Sequence, residues 1–479
     1  MTEIVKKKQY LKIKKETPRK REANKRKVDF QPTYYLFSKD EADTQSLRCI
    51  KCPIDLIKGM ESEFSFCRTG CPLENKIPIW IEHVRNGDIK SAFEASNEIS
   101  PFPEILGMVC PHDVLCQGGC TIAKTESGSV TIGAIEVYLN EQAFKMGLKP
   151  DYGEKREKVS KRVAIIGSGP AGMSCATFLL RAGIEVDMFE KSDRPGGLLT
   201  YGIPNFKIKK DVILRRFAWM QEAGMNLHLN TDIKDSAQIK AMLDEYDTVF
   251  VGLGAPSSRG ARMENEHSHG VYHVMDILKH AQKRVFEDFY ESILEDKNVI
   301  VIGGGDSAMD AVRTAVRMKA KSVRCAYRRD QKNMPGSQKE VVNAKEEGVI
   351  FEFYTAPKKV IIDKGRHVQG LLCQKTKLGD PDDSGRRRLE IIEGSEFELE
   401  CDVLILALGF DNVEFPWYDD AEINTAKWGD IIVDEEKRTS NKRIFAGGDA
   451  VRGADLAVTA AADGRKAALA MLKDFGLTL

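Results

Sequence analysis

The sequence has no surplus charge of either sign, no long apolar run and no leader-like start, and each absence removes a class of function. Lys plus Arg and Asp plus Glu both number 72, so no global field draws the chain to nucleic acid or an acidic membrane. No apolar stretch approaches the roughly 18 residues that a membrane span requires. The N-terminus is charged and has neither an apolar core nor a small-residue cleavage site, so it does not read as a secretory leader. The expected location is the cytoplasm. A chain of 479 residues is too long for one ordinary core, and two to four domains are expected.

What is present centres on RVAIIGSGPAGMSCATFLLRAGIEVDMFE, Arg162 to Glu190. It reads as a strand, a glycine turn, a helix and a second strand ending in an acid, which is a dinucleotide-binding unit. Gly167 permits the tight turn, Gly169 lets a pyrophosphate approach the backbone, and Gly172 lets helix and strand pack closely. The helix that opens at Pro170 offers the free N–H groups of its first turn, from Ala171 on, to the pyrophosphate. Glu190 can accept hydrogen bonds from a ribose but would repel a 2'-phosphate, so FAD or NAD is expected here and not NADP. The following RPGGLLTYGIP, with Gly197 and Leu198, suits backbone packed against a flat ring. No CxxxxC follows the second strand, so no redox dithiol stands beside the ring. Cys175, Cys325, Cys373 and Cys401 read as structural.

A second unit starts at Asn298, NVIVIGGGDSAMDAVRTAVRMKAKSVRCAYRRD. Gly303, Gly304, Gly305, Asp306 and Ser307 form its turn, with Ala308 or Met309 in the place of the third glycine. Its second strand ends in Arg328-Arg329 instead of an acid, and two guanidinium groups suit a 2'-phosphate. NADPH is therefore expected here. The sheet is expected to continue through GVIFEFYT and a polar hairpin, Lys375 to Arg388, to CDVLILALGF. The chain then returns to the first unit with RIFAGGDAVRGADLAVTAAADGR, in which Gly448 and Asp449 precede an Ala-rich helix carrying Val458 and Thr459. HSHGVYH, His267 to His273, fits no zinc spacing and reads as a loop entering a strand.

Seven of the eleven cysteines crowd into one region, as Cys49, Cys52, Cys67 and Cys71, then Cys110, Cys116 and Cys120. Zinc knuckles come as paired CxxC, and only Cys49/Cys52 makes one. CxxxCP at Cys67 resembles the end of a bacterial ferredoxin run, so iron-sulfur clusters are the better reading. Two cubes need eight ligands, and seven thiols leave one place for Glu136, His112 or His83. Residues 1–30 are rich in lysine and arginine and read as a basic arm, solvated or lying on a partner. The segment lacks the interleaved aromatics of a nucleic-acid arm.

These motifs, with RCxxC, CxxGCPxxNxIPxW, VCPxxxLCxGxC, HAQKRVF, GGGDSAMD and AYRR, resemble the small subunit of bacterial NADPH-dependent glutamate synthase. Its superfamily includes the flavin half of dihydropyrimidine dehydrogenase and the large subunit of ferredoxin:NADP transhydrogenases. The resemblance implies two 4Fe-4S clusters, one with Cys49, Cys52, Cys67 and a downstream cysteine, the other with Cys71 and the rest. A glutamine is a ligand in the dihydropyrimidine enzyme where Glu136 stands here, which favours Glu136. Here 14 residues separate the second and third cysteines, more than is usual in the family.

The expected fold is α/β, with two Rossmann-like nucleotide domains behind a small α-helical iron-sulfur domain. The divisions are a basic arm at 1–30, the cluster domain at 31–150, a linker near 150–161, a split FAD domain at 160–290 and 410–479, and an inserted NADPH domain at 295–405. The expected function is electron input: NADPH is oxidised through FAD and the clusters, and a large glutamate synthase subunit turns L-glutamine and 2-oxoglutarate into two L-glutamate. No acid–base residue is required. A pyrimidine-reducing or transhydrogenase assembly is the alternative partner, and a zinc-stabilised or nucleic-acid module is the alternative of another class.

Overall fold

The computed structural model describes residues 9–52, 65–154, 156–287, 291–381 and 387–479. Lys6 to Lys8 and nearly all of the long spacer between Cys52 and Cys67 lie outside them. Two parallel five-stranded sheets form the body. The first runs Ile444–Ala446, Thr248–Val251, Arg162–Ile166, Glu185–Phe189, Asn226–His228 in spatial order. Its central strands are short, apolar and buried along nearly their whole length, the pattern of strands covered by helices on both faces. Ile444–Ala446, last in sequence, pairs in parallel with Thr248–Val251, so this sheet is completed only after the chain has left it and come back.

The second sheet runs Val271–His273, Val403–Leu406, Asn298–Ile302, Ser322–Tyr327, Ile350–Phe353. It recruits a strand from well before Asn298, immediately after the histidine-rich loop. Where the chain crosses between the sheets, the outgoing and returning segments pair as an antiparallel ribbon, Ser258 with Phe410 and Ser257 with Asp411. The polar hairpin expected to continue the second sheet does not join it. Thr355–Ile362, Val368–Pro381 and Arg387–Glu400 form a separate antiparallel sheet. Direction is the reason: short connections only reverse the chain, whereas a parallel neighbour needs a long crossover.

The N-terminal domain is helical, with Lys39–Ser46, Ile77–Arg85, Ile89–Ile99, Pro103–Val109 and Ile132–Lys145 as its main helices. Ser100 to Phe102 make the break between helices, and Pro103 opens the next one, where its missing N–H costs nothing. Trp80, Ile81, Val84, Phe93, Ile135 and Leu139 are buried together, so the domain has an apolar core of its own as well as its cysteines. It is pinned to the first nucleotide domain by Arg216 and Glu104, which pair at 2.6 Å with neither side chain exposed. The hydroxyl of Tyr152, in the segment expected to be a linker, accepts from Arg216 at 3.2 Å. That segment is packed, at least at Tyr152, because its aromatic ring closes the buried pair.

The basic arm is likewise not simply solvated. Arg21 donates its amide to Thr33, and Tyr35 donates to Arg19, so residues 19–35 fold back as a ribbon. Thr33 donates to the carbonyl of Phe206 in the first nucleotide domain. Arg26 is fully buried and pairs with Glu347 at 3.0 Å and with Glu346. Glu347 also binds Arg313 and Arg317. A run of cations is expected to stay in water only when no buried acid is there to receive it, and here Glu347 is such an acid.

Candidate functional site

The three domains enclose a cleft of about 1730 Å³. Its walls include Gly167, Gly169, Pro170, Ala171 and Glu190 from the first turn, and Asp306 and Ser307 from the second. At Gly167 φ is +97°, and a Cβ would lie 2.4 Å from the carbonyl oxygen of Gly252. At Gly172 a Cβ would lie 2.0 Å from the oxygen of Gly167, whereas at Gly169 it would meet nothing within 4 Å. The three glycines thus differ as the motif requires: two are forced by packing and the third faces open space.

Glu190 ends its strand buried and anchored, accepting from the Ser168 amide at 3.1 Å and hydroxyl at 2.5 Å, and from the Ser192 amide at 2.8 Å. Ser168, unremarkable in the sequence, therefore sets the direction of the carboxylate. Gly197 and Leu198 line the cleft, and the loop behind them is held from below by Lys210. Its buried ammonium donates to the carbonyls of Leu199, at 2.8 Å, and Ile203, and burial pushes its pKa down to about 7. Gly448 and Asp449 also face the cleft, and burial raises the Asp449 carboxyl to about 6. Val458 is buried in the core and the Thr459 hydroxyl bonds back to Leu456. Neither lies in the wall of the cleft, where Leu456, Ala457 and Ala460 stand for the start of this helix.

At the second turn, helix Asp306–Arg317 begins after Gly305 as helix Pro170–Arg181 begins after Gly169. Counting from the cap, Ala308 takes the place of Gly172. Gly303 has φ +147°, the ring of Tyr327 lies against Gly304, and Gly305 is open. Arg328 and Arg329 follow the strand Ser322–Tyr327 and outside the walls of the cleft. Arg328 is exposed and Arg329 half-buried.

The seven clustered thiols divide into two groups. Cys49, Cys52, Cys67 and Cys120 line one small cavity of about 20 Å³, walled by Ile50, Ile77, Ile81, Ile122, Val130 and Ile132. Cys71, Cys110 and Cys116 make the second group, and the carboxylate of Glu136 acts electrostatically on all three. Glu136 accepts from the Asn75 amide at 2.8 Å, and burial pushes its carboxyl up to about 8. Burial also raises the thiols, to about 11 at Cys49 and about 12 at Cys67. His83 stands away from this group, 3.8 Å from Asp88. His112 lines the large cleft and its ring packs on Gly133. Among the described residues no three such side chains converge around one metal ion. Four thiols on one apolar cavity are the donor set that a 4Fe-4S cluster takes, so the residues present suit a cluster.

Two nucleotide folds opening on one cleft, with a thiol-bearing domain in its wall, define a pyridine-nucleotide-dependent flavin iron-sulfur oxidoreductase. Residues 161–464 match the family described as pyridine nucleotide-disulphide oxidoreductase, and residues 26–148 match that described as dihydropyrimidine dehydrogenase domain II, 4Fe-4S cluster. The chain is 42% identical over 471 residues to the glutamate synthase [NADPH] small chain of Escherichia coli (strain K12), covering 96% of this chain and 97% of that one. It is 45% identical over 461 residues to the putative oxidoreductase AegA of the same organism, covering 94% of this chain and 68% of that longer protein. Among solved structures, Mycobacterium tuberculosis FprA in complex with NADPH has the same fold, with a TM-score of 0.56 at 20% identity over 66% of this chain and 85% of that one. The chain belongs to the family of NADPH glutamate synthase small chains, within the pyridine nucleotide-disulphide oxidoreductases.

Proposed function

We propose that this chain is the electron-input subunit of a cytoplasmic glutamate synthase, handing electrons from NADPH to a large subunit that forms L-glutamate from L-glutamine and 2-oxoglutarate. NADPH is held by Gly303 to Ser307 with Arg328 and Arg329 on its 2'-phosphate. FAD is held by Gly167 to Gly172, Glu190, Gly197, Leu198, Gly448, Asp449 and the helix start at Val458 and Thr459. One 4Fe-4S cluster is held by Cys49, Cys52, Cys67 and Cys120, and a second by Cys71, Cys110, Cys116 and Glu136. When bound, a flavin accepts two electrons together and releases them one at a time, and iron-sulfur clusters carry them singly.

The chain's own contribution is positioning. The glycine turns bring backbone N–H groups to the phosphates, Ser168 aims Glu190 at a ribose, and Lys210 keeps the loop under the ring in place. The observation that carries this reading is the common cleft, whose wall holds both nucleotide turns and Cys110. Glutamate formation supplies the acceptor because the chain matches the E. coli small chain over 97% of that protein's length. The similarity to AegA supports a second acceptor, a fused or separate oxidoreductase unit of another specificity.

The test is reconstitution. Purified anaerobically, the chain is expected to be yellow-brown, to contain iron and acid-labile sulfide, and to reduce dyes with NADPH. Addition of a glutamate synthase large subunit should yield glutamate from glutamine and 2-oxoglutarate. Dye reduction without glutamate, despite a stable complex, would move the assignment to the second acceptor.

A further inference from the structure

Arg48 is an anomaly. Its side chain is fully buried, and buried guanidinium groups are normally paired with an acid. Here it donates instead to four carbonyls, those of Ile13, Ser127 at 2.6 Å, Gly128 at 2.8 Å and Ser129 at 3.4 Å. Its Nε has no partner at all, and no carboxylate pairs with it among the described residues. Carbonyls satisfy the hydrogen bonds but leave a full positive charge out of water. Lys15 joins it, donating to the Ser129 hydroxyl at 2.9 Å, again without a paired acid. The carbonyls at 127–129 directly precede Val130, which lines the cavity of Cys49, Cys52, Cys67 and Cys120, and Arg48 itself adjoins Cys49. From another helix, Arg85 donates to the carbonyl of Cys49 at 2.7 Å.

The surroundings of the other thiol group have the opposite character. Glu136 is itself an acid, its hydrogen-bond donor is the neutral amide of Asn75, and the Glu104 carboxylate that acts on it is already neutralised by Arg216, so among the described residues no unpaired cation offsets it there. Both groups have hydrogen bonds to sulfur, Cys71 taking the backbone N–H groups of Leu73, Glu74 and Asn75, so the contrast lies in charge. Thr121 lies 2.9 Å from the sulfur of Cys52, and Ser65 lies 3.3 Å from that of Cys67. A sulfur bound to iron has no proton, so both hydroxyls would donate to it. Positive charge and hydrogen bonds to sulfur both favour the reduced, more negative cluster.

We propose that Arg48 and Lys15 are the built-in counter-charges of the cluster held by Cys49, Cys52, Cys67 and Cys120, and that they make it the higher-potential cluster of the two. Electrons therefore rest on this cluster, not on the one beside the flavin cleft. The inference builds on the two-cluster reading given above. It is tested by EPR-monitored redox titration of the anaerobic holoprotein, wild type against Lys15→Met, Arg48→Met and Arg48→Lys, with iron and sulfide measured on the same samples. In Lys15→Met and Arg48→Met, the higher-potential of the two cluster signals should shift to lower potential, and a shift confined to the lower-potential signal would overturn the proposal. At fixed potential the reduced-to-oxidised ratio of the higher-potential signal should fall about tenfold, which is about 59 mV for a one-electron couple. The other signal should stay in place, and Arg48→Lys should keep most of the wild-type value. If Arg48→Met loses a cluster, Lys15→Met, whose side chain is only half-buried, decides. Fully loaded Lys15→Met with both potentials unmoved would overturn the proposal, as would equal shifts of both signals. Iron and sulfide too low for two clusters in the wild type would instead defeat the two-cluster reading.

Discussion

A methyl group on Gly172 would sit 2.0 Å from the oxygen of Gly167, whereas one on Gly169 would touch nothing within 4 Å. The same substitution at two positions of one turn should therefore fail in different ways. Gly172→Ala must push helix Pro170–Arg181 off its strand, at a cost of about 1–3 kcal/mol typical of overpacking, and should melt earlier whether or not flavin is present. Gly169→Ala should melt like wild type without flavin but bind FAD more weakly, because its methyl occupies the approach of the pyrophosphate. Thermal melting of apo- and holoprotein with flavin titration separates the two. At the proposed NADPH site, Arg328→Ala with Arg329→Ala would remove charge-assisted bonds worth about 2 kcal/mol. The expected result is a roughly 30-fold rise in KM for NADPH with little change for NADH, read by steady-state kinetics with a dye acceptor. An unchanged preference for NADPH would remove these arginines from the site.

Elements are joined here by buried charge. Arg216 on helix Lys210–Glu222 and Glu104 on helix Pro103–Val109 connect the cluster domain to the first nucleotide domain. Arg216→Met would strand Glu104 in the interior, and a loss of about 3–5 kcal/mol is expected. The double variant Arg216→Met, Glu104→Leu should recover much of it, as denaturant unfolding would register. A second junction holds helix Gln338–Glu346 against helix Asp306–Arg317 and the loop at Lys207. Burial alone would raise the Glu340 carboxyl, but Lys207 and Arg313 more than offset it and hold it down to about 2, against an ordinary 4.5. A depressed folded pKa stabilises above the unfolded value, so this contribution is complete above pH 4.5. It is lost as pH falls from there towards 2, and amounts to an order of 3 kcal/mol. Glu340→Gln should flatten that part of the acid-unfolding curve while lowering stability at neutral pH.

At the scale of the whole molecule, the N-terminal ribbon, the cluster domain and both nucleotide domains surround one cleft, and the two inter-sheet crossings pair beside it. The ribbon reaches the first nucleotide domain through Thr33 and the second through Arg26. Arg26→Met should therefore loosen the placement of the NADPH-side domain more than its fold. The expected signature is a slower reduction of bound flavin by NADPH in stopped flow, with the melting temperature shifted by only a few degrees because Glu347 keeps Arg313 and Arg317. A large drop in melting temperature with unaltered flavin reduction would contradict that role for the ribbon.

The local folding units were legible from spacing alone. Glycines at Gly167, Gly169 and Gly172 and the acid at Glu190 mark a strand–turn–helix–strand unit that the structure contains, because within one such unit sequence distance is spatial distance. Two parallel sheets, and the return of the chain to the first, followed from the same pattern. Tertiary structure decided whatever depends on groups far apart in sequence. It brought Cys120 to Cys49, Cys52 and Cys67 across a cavity and drew the polar hairpin into a sheet of its own. It also buried Arg26 and Arg48, residues of a type that composition assigns to solvent. Charge is indifferent to sequence separation: whether a cation lies in water, on a carboxylate or beside a set of thiols is determined only when distant segments close around it.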